Sequence, residues 1–467
     1  MGAASSLFFS STADQDSLNK RVRPSDDQMN YLRERKDDLE SYLRQDIARR
    51  TGCEVSTWLQ GSYKLHTLIR PIHTKDEYDV DLGVYVEWDA FDREKWTHVQ
   101  LRTLLQASLM DYRDNVDEVK DISEPAKQRC SRVMFDQQFH IDVPIYHFET
   151  TTKNTQLATL NKGWEQSDPE QMLKWFQARL GGPERARVRR VVRYVKAWAS
   201  LTFAEQPKMR PSSLFLTVLC VDAFVAHIGD RELQDDDLLQ EIVVAIEERL
   251  RADPRVENPV ATDHDRNINR LDDNAFRTFM TKLRAFASTA TRACECEEEG
   301  DAAIVWAEAF DFLFPLPDVE GLAKAMPGTG LMVSTPVIAI DIHGKDGHFA
   351  RRYTGEVEFV RLGETLDFHI TNPGVLPPLA RVRWVVRNVG DEAFRKNDLG
   401  HSAYDTGGLS RNERAAYLGR HFMDCEVYQG DTIHSVTRVP VNIIGMQMPN
   451  RHPPRPAYRL LAGRRRR

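Results

Sequence analysis

Apolar residues recur along the chain with different spacings, and these spacings divide it into regions. Over residues 27–51 they lie three or four positions apart, as on one face of a helix. A second helix is indicated at 95–112. Apolar and polar positions alternate in segments before and after it, which predicts strands near 55–60, 79–86, 132–136 and 139–146. Together these elements predict an α/β core over residues 27–168.

The pattern becomes helical over residues 169–316 and then changes to short β-rich runs. Helices are predicted at 184–203, 213–226, 236–252, 272–290 and 302–314. A cluster of Pro and Gly predicts a linker at 317–331. Runs separated by turn residues then predict a β-sandwich domain over 332–447. Residues 1–26 are expected to be a flexible N-terminus and 448–467 a Pro/Arg-rich tail.

Composition narrows the class of protein without identifying it. Hydrophobic residues make up 41% and charged residues 28%, which is ordinary for a folded globular protein. Six scattered Cys do not form a secreted disulfide framework, and no apolar run approaches the roughly 20 residues of a membrane span. We therefore expect a cytoplasmic protein that does not bind membranes.

Charge leaves nucleic-acid binding open. The formal net charge of −7 does not favour it. A strongly basic helix near residue 190 could line a nucleotide cleft, contact nucleic acid or simply face solvent.

The most informative stretch lies at residues 58–89, where a Gly-Ser pair precedes an acidic strand. Gly61 allows the backbone to approach a ligand closely, and Ser62 can contact phosphate oxygens. Asp79 and Asp81 are two positions apart in DVDLGVYV, so both carboxylates point to one face of the strand. Carboxylates crowded in this way repel each other unless a cation lies between them, and magnesium prefers such oxygen ligands.

A third carboxylate, Asp142, lies on the later strand QFHIDVPIY, with apolar neighbours on the opposite face. Three converging carboxylates predict two-metal phosphoryl chemistry with two Mg²⁺ ions, which Mn²⁺ could replace. Asp142 is the candidate to help deprotonate the attacking hydroxyl. The alternative is that these Asp residues lie on an ordinary solvated face.

At these residues the chain resembles polymerase-β-type nucleotidyltransferases. The segments GSYKLHTLIRP and YDVDLGVYV are similar to the bacterial cGAS/DncV-like nucleotidyltransferases of anti-phage CBASS systems. The resemblance implies an α+β fold, with a polymerase-β-type core and a helical lobe. Residues 384–393, 412–427 and 439–443 resemble the AGS-C domain, a proposed sensor.

The resemblance also implies site residues. Asp79, Asp81 and Asp142 would be catalytic and bind metal. The residues implied to bind nucleotide are Gly61, Ser62, Lys64, Lys196, Ser212 and Ser213. Lys196 could instead be merely exposed, and Ser212 or Ser213 could only cap a helix.

The implied activity is joining ATP and/or GTP into a cyclic di- or trinucleotide, with release of pyrophosphate. That product would act on a separate effector protein, and the C-terminal domain would bind an activating ligand or partner. Two alternatives stay open: nucleotidyl transfer to a protein or RNA acceptor, and a nucleotide-binding regulator with weak catalysis.

Overall fold

The computed structural model describes residues 2–12, 15–73, 75–89, 95–260, 267–317, 335–404 and 409–445. Most of the predicted linker at 317–331 and the whole predicted tail at 448–467 lie outside these residues. Within the described part of the chain, no helix is both long and apolar enough to cross a membrane.

The N-terminus is ordered and packed, so the prediction of a flexible lead over residues 1–26 is wrong for its described part. Short helices α1 (Ser5–Phe8) and α2 (Leu18–Val22) form there. The Phe8 side chain is fully buried, with ring centroids 4.8 Å from Trp306 and 5.2 Å from Phe314. Helices of four or five residues are too short to show a helical period, which is why the sequence pattern missed them.

The α/β core contains one mixed sheet with two longer helices packed against it. Helix α3 (Asp26–Thr51) begins with a capping box between Ser25 and Gln28, and α5 (His98–Arg113) begins with another. Between them lie β1 (Glu54–Gln60), the short helix α4 (Gly61–Leu65) and β2 (Tyr78–Glu87). Leu39, Leu43 and Leu105 of the two helices share one apolar core with the sheet.

The remaining strands of this sheet follow α5. They are β3 (Val119–Ile122), β4 (Ser131–Phe135), β5 (Phe139–Val143), β6 (Ile145–Phe148), β7 (Thr155–Ala158) and β8 (Trp164–Gln166). Among the described strands the order is β3-β4-β5-β2-β6-β7-β8, and β1 pairs with β2. The strand with two predicted carboxylates, β2, therefore lies directly beside β5, which carries the third.

A helical lobe follows, as the sequence predicted. Its helices are α6 (Pro169–Arg179), α7 (Gly182–Thr202), α8 (Ser213–Ala223), α9 (Asp235–Ala252), α10 (Asp273–Cys294) and α11 (Glu299–Phe310). Phe279, Leu283 and Phe286 of α10 are spaced three or four residues apart and are all buried. The sequence analysis missed α6, although Asp168 caps it and Pro169 opens it.

The C-terminal region is a β-sandwich, which confirms the predicted fold class. Its strands are β9 (Ile338–His343), β10 (Phe349–Thr354), β11 (Val357–Arg361), β12 (Thr365–Ile370), β13 (Arg381–Arg387), β14 (Gly400–Tyr404), β15 (Ser410–Arg414), β16 (Gly419–Gln429) and β17 (Thr432–Ile444). In the described residues they form sheets of order β10-β9-β12-β15 and β11-β17-β16-β13-β14. Ile340, Phe368, Trp384 and Cys425 belong to the apolar core between them.

A buried ionic layer joins the sandwich to the helical lobe. Asp424 on β16 pairs with Arg387 Nε at 2.6 Å and Arg438 Nε at 2.8 Å, and all three side chains are buried. Arg387 Nη1 also donates to the backbone oxygens of Asp311 and Phe314 just after α11. These contacts fix the sandwich against the catalytic half of the chain.

Candidate active site

The strand register brings the three predicted carboxylates together. Strands β2 and β5 are parallel neighbours, with Asp81 opposite Asp142 and Asp79 opposite His140. Adjacent strands are about 4.8 Å apart, so side chains at paired positions on one face are in contact range. On the reverse face Val80 and Ile141 are fully buried. Burial of this apolar face therefore fixes the orientation of all three Asp side chains.

Asp81 is packed directly against the Gly-Ser turn. A Cβ atom at Gly61 would lie 3.2 Å from Asp81 Cγ and would overlap Oδ2, and Gly61 has a φ of +59°. Only glycine meets both requirements without strain. Burial first, and then the charges of Asp79 and Asp142, raise the pKa of Asp81 to about 8. A cation bound in the cluster would favour the ionised form of Asp81.

Asp142 is held by a basic partner that the sequence analysis missed. Arg132 on β4 donates to both oxygens of Asp142, at 2.6 and 2.8 Å, and Lys127 Nζ lies 3.4 Å away. Burial raises the pKa of Asp142, but the bonds and charge of Arg132 outweigh it and hold that pKa below its usual value. The antiparallel register of β4 and β5 places Arg132 opposite Asp142.

His140 is a second residue that the sequence analysis set aside. Its Nε2 lies 2.8 Å from Asp79 Oδ1, and its Nδ1 lies 2.7 Å from Glu77 Oε2. Among the described residues, ligand atoms of Asp79, His140 and Asp142 all lie within 4.8 Å of one another. This group contains His140 where the sequence analysis expected Asp81. The position of His140 depends on the parallel pairing of DVD with HID, which strand alternation alone does not predict.

A cleft of about 670 Å³ opens beside the acidic cluster. Its lining residues include Arg132, His140 and most of the predicted site residues, namely Gly61, Ser62, Asp79, Asp81, Lys196, Ser212 and Ser213. Lys64 is not among them, because its Nζ lies 4.5 Å from the centroid of the Trp58 ring. The structure therefore does not support the predicted nucleotide contact of Lys64.

Helix α7 holds the segment after the Gly-Ser turn with three basic residues on one face. Arg189, Arg193 and Lys196 donate to the backbone oxygens of Leu65, His66 and Thr67, at 2.9, 2.8 and 3.1 Å. These contacts give part of the basic helix near residue 190 a role within the protein.

Lys196 and the two Ser residues occupy different environments along the cleft. Lys196 is only 6% exposed, which excludes the alternative that it merely faces solvent. Burial lowers the pKa of Lys196 to about 8. Ser212 caps α8 by accepting a hydrogen bond from the Phe215 amide at 3.2 Å, as the alternative reading expected. Ser213 is exposed at the first position of that helix.

The donor set fits a divalent cation. Carboxylate oxygens from neighbouring strands converge, and burial together with the charges of Asp79 and Asp142 raises the pKa of Asp81. Hard oxygen ligands of this kind suit Mg²⁺ or Mn²⁺, and an imidazole is also acceptable to Mn²⁺. The Asp142 oxygens, which accept hydrogen bonds from Arg132, would have to bind the cation as well.

A polymerase-β-type core with an acidic cluster beside a Gly-Ser turn defines a nucleotidyltransferase. Comparison with known families agrees with this class. Residues 55–146 match the family described as "Cyclic GMP-AMP synthase DncV-like, nucleotidyltransferase domain". Residues 325–444 match the "Adenylyl/Guanylyl and SMODS C-terminal sensor domain". One segment of the chain is therefore similar to DncV-like nucleotidyltransferase domains, and a second segment is similar to AGS-C domains.

Curated relatives extend the similarity along most of the chain. It is 28% identical to a cyclic GMP-AMP synthase of Escherichia albertii, over 92% of this chain and 94% of the relative. It is 27% identical to a cyclic GMP-AMP synthase of Vibrio cholerae, over 58% of this chain and 70% of that protein. A c-di-GMP synthase of Roseivirga ehrenbergii is 23% identical, over 40% of this chain and 53% of the relative.

Solved structures share the fold of the catalytic half. Vibrio cholerae DncV in its GTP-bound form superposes with a TM-score of 0.58 at 20% identity, covering 67% of this chain and 96% of that chain. The same protein in complex with a linear intermediate, 5′ pppA(3′,5′)pG, gives a TM-score of 0.56 at 19% identity and covers the same fractions.

Proposed function

We propose that this protein joins ATP and/or GTP into a cyclic di- or trinucleotide and releases pyrophosphate. The observation that carries the proposal is the convergence of Asp79, Asp81 and Asp142 on neighbouring strands, beside the Gly61-Ser62 turn. Relatives named cyclic GMP-AMP synthase and c-di-GMP synthase support the class of product.

The acidic cluster would hold two Mg²⁺ ions through Asp79, Asp81 and Asp142, with His140 at its edge. When bound, Mg²⁺ neutralises triphosphate charge and lowers the pKa of the attacking hydroxyl. Asp142 would bind a cation, and its ion pair with Arg132 makes its carboxylate a weaker proton acceptor. That Asp142 helps to deprotonate the hydroxyl stays a prediction.

The cleft residues supply orientation and charge. The Lys196 ammonium and the hydroxyls of Ser62 and Ser213 line one cleft with the carboxylates, so a triphosphate there would have its α-phosphorus near the acidic cluster. A ribose hydroxyl of one nucleotide loses its proton to solvent, and its oxygen forms a bond to that phosphorus. The bond to the β-phosphate oxygen breaks, and pyrophosphate leaves. A second transfer of the same kind closes the ring.

The biological setting rests on the resemblance to CBASS nucleotidyltransferases. We propose that the cyclic product acts in the cytoplasm on a separate effector protein during phage infection. The AGS-C domain would receive the activating signal.

The test is incubation of the full chain with Mg²⁺ and α-labelled ATP, GTP, CTP and UTP, singly and together, followed by phosphatase and mass spectrometry. We expect a phosphatase-resistant labelled product with the mass of a cyclic di- or trinucleotide. A protein carrying both Asp79→Asn and Asp81→Asn should fold but form none, because neither side chain faces the apolar core. Label transferred to protein or RNA, or no resistant product, would contradict the proposal.

A further inference from the structure

The β-sandwich contacts both strands of the acidic cluster through one side chain, Asn397. Its Oδ1 accepts a hydrogen bond from the hydroxyl of Tyr78 at 2.9 Å, and its Nδ2 donates to Gln138 Oε1 at 3.2 Å. Tyr78 is the first residue of β2, and Gln138 directly precedes β5. A further donor, Gln28 Nε2 of α3, lies 2.8 Å from the same Oδ1.

The contacted residues are rigidly connected to the carboxylates. Tyr78 is adjacent to Asp79 in sequence, and its side chain is only 2% exposed. The Tyr78 amide donates to the backbone oxygen of Gln138 at 2.7 Å, which ties the starts of β2 and β5 together. A displacement of Asn397 is therefore transmitted to both strands at the end nearest Asp79 and His140.

Asn397 is in a conformation that selects its residue type. It follows the short helix Asp391–Arg395 and has a φ of 53°, a left-handed conformation that Asn adopts more readily than most residues. A cavity of about 1120 Å³ lies at the same place between the core and the sandwich, and Gln28, Gln138 and Asn397 all line it. Asn397 is therefore one of the residues that a molecule in that cavity can contact.

We propose that Asn397 is a positioning residue through which the AGS-C domain sets the geometry of the metal-binding strands. The inference deepens the proposed function and rests on it. Asn397 touches neither the cleft nor helices α7 and α8, which carry Lys196 and Ser213. Its loss should therefore impair metal binding and turnover while leaving triphosphate binding intact.

The experiment compares three variants of the full chain. Asn397→Gly removes the side chain and keeps the left-handed backbone without strain. Tyr78→Phe removes only the hydroxyl on the other side of the contact. Lys396→Ala is the matched control, because Lys396 lines the same cavity and, among the described residues, its ion pair and ring contact are with Glu392 and Tyr417 of the sandwich. Thermal unfolding checks that each variant is folded.

Two readouts separate positioning from a general structural effect. The first is the split between kcat and KM for nucleotide, and the second is half-saturation by Mn²⁺ with a non-hydrolysable ATP analogue, which needs no turnover. We expect Asn397→Gly to lower kcat and to weaken Mn²⁺ half-saturation by about five- to tenfold each, as lost hydrogen bonds would. The KM for nucleotide should stay within about twofold of the wild-type value. A fourth variant that combines Asn397→Gly with Tyr78→Phe should lose little more than Asn397→Gly alone, because the bond between the two side chains is already absent.

The inference would be overturned if both Asn397→Gly and Tyr78→Phe kept kcat and Mn²⁺ half-saturation within about twofold of the wild-type values. So would an equal effect of Lys396→Ala. If the wild-type protein binds Mn²⁺ but forms no product, the proposed function fails, and the Mn²⁺ comparison still decides the inference.

Discussion

Replacing Gly61 by Ala tests the packing of Asp81, a proposed metal ligand, against the Gly-Ser turn. The added methyl group would overlap Asp81 Oδ2 and lie 3.2 Å from Asp81 Cγ, so the carboxylate must move. A displacement of roughly 1 Å in a catalytic group can cost about 10²-fold in rate. The left-handed backbone at φ +59° adds a separate penalty of about 1–2 kcal/mol to folding.

Gly52→Ala is the matched control for this prediction. Gly52 ends α3 with a φ of +66°, and nothing lies within 4 Å of where its Cβ would be. In chemical denaturation Gly52→Ala should therefore show only the backbone penalty, and Gly61→Ala should show that penalty plus the cost of displacing Asp81. Only Gly61→Ala should lose turnover, by about a hundredfold at saturating nucleotide and Mg²⁺.

The outcome that would refute this reasoning is specific. If Gly61→Ala turned over within about threefold of Gly52→Ala, the position of the Asp81 carboxylate would not limit the reaction. A large loss of activity in both variants would instead point to backbone strain that propagates from either site.

Three further predictions follow from buried groups. Because burial lowers the pKa of Lys196 to about 8, its positive charge is lost as pH rises through that value. The affinity for nucleotide, measured by titration calorimetry, should therefore fall between about pH 7 and 9 in the wild type. It should not fall in Lys196→Arg, because an arginine stays charged over this range. Phe8→Ala should lower the free energy of unfolding in urea by about 3 kcal/mol, because this buried ring contacts four other aromatic rings. Asp424→Ala should lower the free energy of unfolding by about 3–5 kcal/mol in the same assay, because Arg387 and Arg438 stay buried without the Asp424 carboxylate. The control Asp431→Ala, at an exposed ion pair, should leave the free energy of unfolding unchanged.

The alternation of side chains along single strands was enough to predict the acidic residues. Asp79 and Asp81 share a face in DVDLGVYV, and Asp142 opposes apolar neighbours in QFHIDVPIY. Their convergence could not be derived in this way, because it depends on parallel pairing between strands about sixty residues apart. The sequence analysis therefore inferred convergence from the needs of two-metal chemistry and from the family resemblance, without a strand pairing.

Residues that act through tertiary contacts escaped the sequence analysis. Arg132 reaches Asp142 only through the register of β4 with β5, and Asn397 reaches β2 only through docking of the sandwich. Lys64 was expected from the resemblance of the segment GSYKLHTLIRP, but successive residues of a helical turn point in different directions. The polar strand β10 was missed because it lies at a sheet edge and shows little apolar alternation.

The central claim is that Asp79, Asp81 and Asp142 jointly hold two divalent cations. A crystal of the full chain with Mn²⁺ and a non-hydrolysable ATP analogue, measured at the manganese absorption edge, would test it most directly. We predict two anomalous peaks about 3.5–4 Å apart, in contact with all three carboxylates and the triphosphate. A single peak bound by Asp79, His140 and Asp142 without Asp81, or no peak at all, would contradict the account.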